Sequence, residues 1–183
     1  MTRRNLLYAQ SGGVTAVINA SAAAVIETAR RHPERIGAVY GARHGILGVL
    51  AEDLVDTAAL DAAALTSLAL TPGGAFGSCR FDIDAPADNP AQYDRLFAVF
   101  AAHDIGYFLY NGGNGSMDTV AKLSQAARER GYPLVCIGVP KTVDNDLEGT
   151  DCSPGFGSAA KYVATAMLET SLDLIAMSGR TGR

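Results

Sequence analysis

The sequence predicts a three-layer αβα fold built on a mostly parallel, Rossmann-like sheet. Three observations carry this reading. Short apolar runs rich in Val, Ile, Leu and Tyr alternate with Ala-rich segments of helical length, the pattern of a parallel sheet covered by helices on both faces. Two of the runs end in glycine turns that lead into a helix, SGG at 11 to 13 and NGGNGS at 111 to 116. A third run, Pro133 to Val139, ends in a polar loop, VPKTVDNDLEGTDCSPGFGS (Val139 to Ser158), before another helical segment. The carboxyl ends of parallel strands are where such sheets hold ligands.

In chain order, Asn5 to Ala9 reads as the first strand and Gln10 to Thr15 as its glycine turn. Thr15 to Arg31 reads as a helix that ends in two arginines, cations suited to a helix C-terminus. Ile36 to Ala42 is a second strand. The segment from His44 to Thr71 reads as a glycine turn, an acidic patch (Glu52, Asp53, Asp56) and a helix from Ala58 to Leu70. TPGGAFGSCRF (Thr71 to Phe81) reads as a flexible loop that delivers Arg80, whose guanidinium fork matches phosphate oxygens. Pro90 to Asp104 is a helix with Tyr93, Leu96, Phe97 and Phe100 on its apolar face. Ile105 to Tyr110 is a strand, followed by the NGGNGS turn and a helix that stops at Gly131 and Pro133. Ser153 and Pro154 read as the N-cap and first residue of a final helix that runs to about Met177.

The loop after Val139 is the focus of the chain. It holds four carboxylates (Asp144, Asp146, Glu148, Asp151), Lys141 and Thr142 within eleven residues. Like charges a few ångströms apart repel by about 4 kcal/mol at a near-surface effective dielectric, so such a cluster calls for a cation, a lysine or a substrate. Both glycine turns offer backbone N–H groups at a helix N-terminus, the usual seat of a phosphate.

Composition narrows the function. A length of 183 residues with 48% hydrophobic residues fits one globular domain. Net charge is −4, with no basic stripe, so neither nucleic acid nor an anionic membrane is an expected partner. Cys79, Cys136 and Cys152 are odd in number and lack CxxC spacing, and His32, His44 and His103 lack metal-ligand spacing. No signal peptide or apolar span is legible, and a cytoplasmic location is expected. GFGSAA at 155 to 160 fits GxGxxA but follows a loop rather than a strand, and there is no GxxxxGK[ST].

Together, SGG at 11 to 13, GGAFGSCRF at 73 to 81, NGGNGS at 111 to 116, PKTVDND at 140 to 146 and TDCSPGFGSAAKY at 150 to 162 resemble the 6-phosphofructokinases in content and order. The resemblance covers nearly the whole chain, and PKTVDND is its most specific part. The wording around Lys141 and TPGGAFGSCR is most similar to the branch that uses inorganic pyrophosphate.

The resemblance implies phosphoryl transfer to the 1-hydroxyl of fructose 6-phosphate, giving fructose 1,6-bisphosphate in glycolysis, with Mg²⁺ as cofactor and a homo-oligomer as the full-length assembly. It implies Asp144 as general base, Thr142 and Asp146 as residues that position the hydroxyl, and Lys141 as the charge that stabilises pyrophosphate in the transition state. It implies Gly12, Gly13, Arg80, Gly113, Gly115 and Ser116 as further donor contacts, and Asn114 as the metal contact.

Three departures from the family pattern stand out. Asn114 replaces a common Asp. Gly115 is the residue of ATP users, whereas the pyrophosphate branch generally has Asp there, so an ATP-dependent 6-phosphofructokinase is the alternative. The family's MGR motif and sugar-phosphate half are not found; Met177, Gly179 and Arg180 come too early and are interrupted by Ser178. The chain therefore looks like the N-terminal, donor-side half of a longer enzyme, residues 1 to 183, expected by itself to bind donor poorly and to turn over little or not at all. An NAD or lipid kinase would share NGGNGS but has no reason to contain PKTVDND. A non-catalytic phosphate-binding module is the reading from another class.

Overall fold

Five strands form one sheet in the computed structural model, which describes residues 2–179. They are β1 (Arg4–Gln10), β2 (Ile36–Ala42), β3 (Leu54–Asp56), β4 (Ile105–Gly112) and β5 (Val135–Pro140), in the spatial order β3-β2-β1-β4-β5. All neighbours are parallel except β3, which pairs antiparallel with β2 through Tyr40↔Asp56 and Ala42↔Leu54. Among the described residues five α-helices lie between the strands, α1 (Ile18–Arg30), α2 (Ile46–Ala51), α3 (Ala62–Leu70), α4 (Pro90–Ala102) and α5 (Asn114–Glu129), and a sixth, α6 (Phe156–Met177), follows β5.

The alternation of side chains along β1 creates the layers. Leu6 and Tyr8 pack with Ala22, Ile26 and Ala29 of α1 and Leu65 of α3 on one face. Leu7 and Ala9 pack with Ile46 of α2, Leu96 and Phe100 of α4 and Leu123 of α5 on the other. Both faces of β1 are thus buried, which is why it reads as a continuous apolar run, whereas β4 buries Phe108 and Tyr110 on one face and leaves Tyr107 and Leu109 only partly covered on the other. The expected apolar face of α4 is the heart of the second cluster, with Phe97 edge-on to Phe100 at 5.7 Å. β1 has β2 on one side and β4 on the other, so the chain reverses its direction of travel between β1 and β4. A crevice at their carboxyl ends follows from that reversal.

The structure revises several boundaries. α2 and β3 lie in the segment read as a turn and an acidic patch; three-residue strands carry too little pattern to be read. Residues 57–59 form a 3₁₀ turn, and α3 starts only after Asp61, which caps it by accepting from the Ala64 N–H at 2.7 Å. α1 starts at Ile18 rather than Thr15. Ser153 and Pro154 do not start α6. The N-cap is Gly155, at φ 103°, because the stretch before it is tied back to the loop: the Thr142 N–H donates to the Pro154 carbonyl at 2.9 Å, and Thr142 pairs with Gly155. Arg180 lies outside the described residues.

Two apolar surfaces are uncovered. No residue of α6 is buried, and Tyr162, Leu168 and Ile175 are 74%, 62% and 68% exposed. A groove of about 680 Å³ runs between α1 and the outer strands, lined by Val25, Ala29, Tyr107, Leu109, Val135 and Ile137. Contiguous apolar surface of this kind drives association in water. The chain is therefore expected to self-associate as its concentration rises, read by sedimentation velocity; a monomer that persists from micromolar to millimolar concentration contradicts this. No helix among the described residues is long and apolar enough to cross a membrane.

Candidate active site

Four chain segments meet at the carboxyl edge of the sheet. The first is the turn after β1. Gly12 takes a positive φ of 74°, its N–H donates to the Cys79 carbonyl at 2.8 Å, and its own carbonyl accepts from Ser78 Oγ at 2.6 Å. Ser11 donates from its backbone to the Asn111 carbonyl at 2.8 Å and from Oγ to the Cys79 carbonyl at 3.2 Å. These bonds lace the SGG turn to the loop that carries Arg80. The missing side chains matter as much as the N–H groups. A Cβ on Gly13 would lie 3.2 Å from an Arg80 guanidinium nitrogen, and one on Gly12 would lie 3.3 Å from Lys141 Nζ. Bare backbone is what lets two cations lie against the turn.

Lys141, immediately after β5, is 3% exposed, and its Nζ donates to the Gly13 carbonyl at 2.6 Å. Its pKa is held below the ordinary lysine value of 10.5 by burial and by the Arg80 charge, with Asp144 pulling in the opposite direction. The sign of the consequence follows. At neutral pH the buried charge opposes folding, and this cost is relieved as pH rises from the lowered pKa of the folded chain to the ordinary one of the unfolded chain. A bound polyanion favours the charged form. Donor affinity should therefore fall at a pH below the ordinary lysine range, and Lys141→Arg, which stays cationic, should remove that alkaline fall in a titration series.

The loop 141–146 forms another wall of the cleft. The Asp144 N–H donates to Thr142 Oγ1 at 3.0 Å, which leaves the Thr142 hydroxyl proton free to be donated. Asn145 sits at φ 54°, its Oδ1 accepts from the Ser153 N–H at 2.8 Å, and its Nδ2 donates to the Asp151 carbonyl at 3.3 Å. Asp144 and Asp146, on either side of it, are exposed and line the cleft. Across the cleft, Asn114 Nδ2 donates to Asp146 Oδ2 at 3.0 Å, joining the first turn of α5 to the acidic loop.

Every site residue named from the sequence lines a single cleft of about 540 Å³: Gly12, Gly13, Arg80, Gly113, Asn114, Gly115, Ser116, Lys141, Thr142, Asp144 and Asp146. Two of the four loop carboxylates are not part of it. Glu148 lines a separate groove beside α5, and Asp151 is exposed. The repulsion expected of four crowded carboxylates is thus relieved by spreading them. Among the described residues no three His, Cys, Asp or Glu side chains form a metal cage. Sequence reasoning missed Asn145, whose role depends on its backbone angle, and Asp82, which lines the cleft two residues after Arg80. The acid so close to the arginine was the only signal for Asp82.

The sequence and the fold are matched by relatives. The family model described as phosphofructokinase aligns with residues 5–181. The chain belongs to the phosphofructokinase family. A pyrophosphate–fructose 6-phosphate 1-phosphotransferase of Methylococcus capsulatus is 58% identical over 178 residues, covering 97% of this chain and 42% of that protein. The protein of the same name from Xanthomonas campestris pv. campestris is 59% identical over 178 residues, with the same coverage of both. The crystal structure of a pyrophosphate-dependent phosphofructokinase from Marinobacter aquaeolei superposes with a TM-score of 0.87 at 59% identity, over 97% of this chain and 43% of that one. This phosphofructokinase chain thus spans less than half the length of the relatives it matches, and it shares their three-layer α/β fold.

Proposed function

We propose that the chain carries the donor side of a cytoplasmic enzyme that transfers a phosphoryl group from pyrophosphate to the 1-hydroxyl of fructose 6-phosphate. The observation that carries this reading is the polarity of the cleft: Lys141 and Arg80 lie on the bare Gly12–Gly13 backbone, and Asp144 and Asp146 stand opposite. Phosphoryl transfer needs positioning and charge neutralisation more than covalent chemistry, and these are what the cleft offers.

In this reading Lys141 and Arg80 hold the donor oxygens. Asp144 takes the proton of the 1-hydroxyl, that oxygen bonds to the terminal phosphorus, and the bridging P–O bond breaks to release phosphate. Thr142, with its oxygen already engaged by the Asp144 N–H, orients the hydroxyl.

Magnesium fits the donor set. It prefers oxygen ligands and is commonly held by one or two carboxylates together with substrate phosphates rather than by an all-protein cage. Asp146 would supply a carboxylate, leaving Asp144 free to accept the proton. Asn114 would contribute through its carbonyl oxygen, since its amide nitrogen is committed to Asp146. Bound there, the ion neutralises charge on the donor phosphates.

A second donor, ATP, is kept in view by Gly115, which brings no side chain into the cleft. Thermal unfolding with Mg²⁺ and either donor separates the two, because a ligand at 100 times its Kd adds about 2.7 kcal/mol to the folded state. Stabilisation by pyrophosphate and not ATP is the expected result; stabilisation by ATP alone overturns the pyrophosphate reading.

A further inference from the structure

Asp82 stands over the place where Gly115 lacks a side chain. Its Oδ1 lies 2.9 Å and its Oδ2 3.9 Å from the point that a Cβ on Gly115 would occupy. The carboxylate belongs to the Arg80 loop, yet it reaches across to the first turn of α5, the helix that opens at Asn114. Two physical facts favour that placement. Gly115 leaves room for it, and a helix N-terminus attracts a negative charge through its free N–H groups and its dipole.

The placement decides what length of donor the cleft accepts. In the pyrophosphate reading the reacting phosphorus lies by Lys141 and Asp144, with the adjoining phosphate against Arg80 and the Gly12–Gly13 turn. A donor that ends there is complete within this basic corner. A donor that continues, with a third phosphate and a nucleoside, must leave past the first turn of α5. Asp82 fills that exit with volume and with a charge of the same sign as the phosphate chain.

We infer that Asp82 is a specificity-determining residue that closes the donor site of this chain to nucleoside triphosphates, in place of the side chain that Gly115 lacks. The inference rests on the pyrophosphate reading above and deepens it. It also removes the conflict between Lys141 and Gly115, because the space that Gly115 opens is taken by a residue from another loop. Because such exclusion acts against a wrong ligand rather than for the right one, its removal should change one affinity and spare the other.

The test is calorimetric titration of the chain, its Asp82→Asn variant and its Asp82→Ala variant with pyrophosphate and with ATP, each with Mg²⁺. Asp82 is exposed on a loop, so neither substitution disturbs the core. In Asp82→Ala the preference for pyrophosphate over ATP should shrink by about tenfold or more, through tighter ATP binding, with pyrophosphate affinity kept within about threefold. Asp82→Asn keeps the volume and removes the charge, and should fall between the other two proteins. A preference unchanged in both variants overturns the role of Asp82 while leaving the pyrophosphate reading intact. A large loss of pyrophosphate affinity in Asp82→Ala also overturns it, because Asp82 would then serve the donor rather than exclude its competitor. Tighter binding of ATP than pyrophosphate by the unaltered chain takes down the donor reading, and the inference with it.

Discussion

Asp144→Asn should lower phosphoryl transfer by about 10²- to 10⁴-fold, some 3–5 kcal/mol of transition-state stabilisation, when assayed with a sugar-phosphate-binding half present in the same chain. The substitution is nearly isosteric. The Asp144 N–H still donates to Thr142 Oγ1, so the loop keeps its shape, and the amide loses only the ability to accept a proton. Donor affinity should therefore change far less than kcat. This pattern separates a general base from a residue that merely shapes the loop, since a structural role would raise KM and lower thermal stability together. Full turnover in this variant would remove the base assignment.

Lys141→Met has the second large effect, and it acts on both stability and catalysis. The methionine fills the buried channel without carrying charge, so the donor loses its best-desolvated cation. Loss of one preorganised charge at such a site costs about 10²- to 10³-fold in rate. The Gly13 carbonyl also loses the Lys141 Nζ bond; Gly13 is exposed and water can take that place, so the net cost is at most about 0.5–1.5 kcal/mol and the SGG turn should loosen slightly. Lys141→Arg keeps the charge but must fit a longer, planar group in a space where Nζ already lies 3.3 Å from the point of a Gly12 Cβ. Pyrophosphate affinity measured beside melting temperature distinguishes the two losses: the arginine variant should recover affinity only in part. Unchanged affinity and rate in Lys141→Met would assign the cationic role to Arg80 alone.

The parallel strands and the loops at their ends were legible in the sequence because each rests on a local pattern, whereas the eleven candidate site residues came from the family resemblance and the structure places them along one cleft. A strand buried on both faces must be apolar throughout, as at Leu6 to Ala9, and a helix buried on one face must repeat, as at Tyr93, Leu96, Phe97 and Phe100. Three-residue β3 and six-residue α2 have no room for a period. The N-cap of α6 was misread because Ser153–Pro154 carries the right chemistry, and only the pairing of Thr142 with Gly155 claims that backbone for the loop.

By itself the sequence determined which groups are available for chemistry: an acidic loop with one lysine, two glycine turns and one arginine, at the ends of strands. The tertiary structure decided which of them meet. It brought Lys141 onto Gly13, 128 positions away in the chain, and split the four carboxylates between the cleft and the outside. It also set Asp82 over Gly115. The reason is that residue type fixes charge and proton affinity, which are local properties. Distance between charges depends on strand order and on the backbone angles of loops such as that of Asn145, and these are settled only when both faces of the sheet are packed.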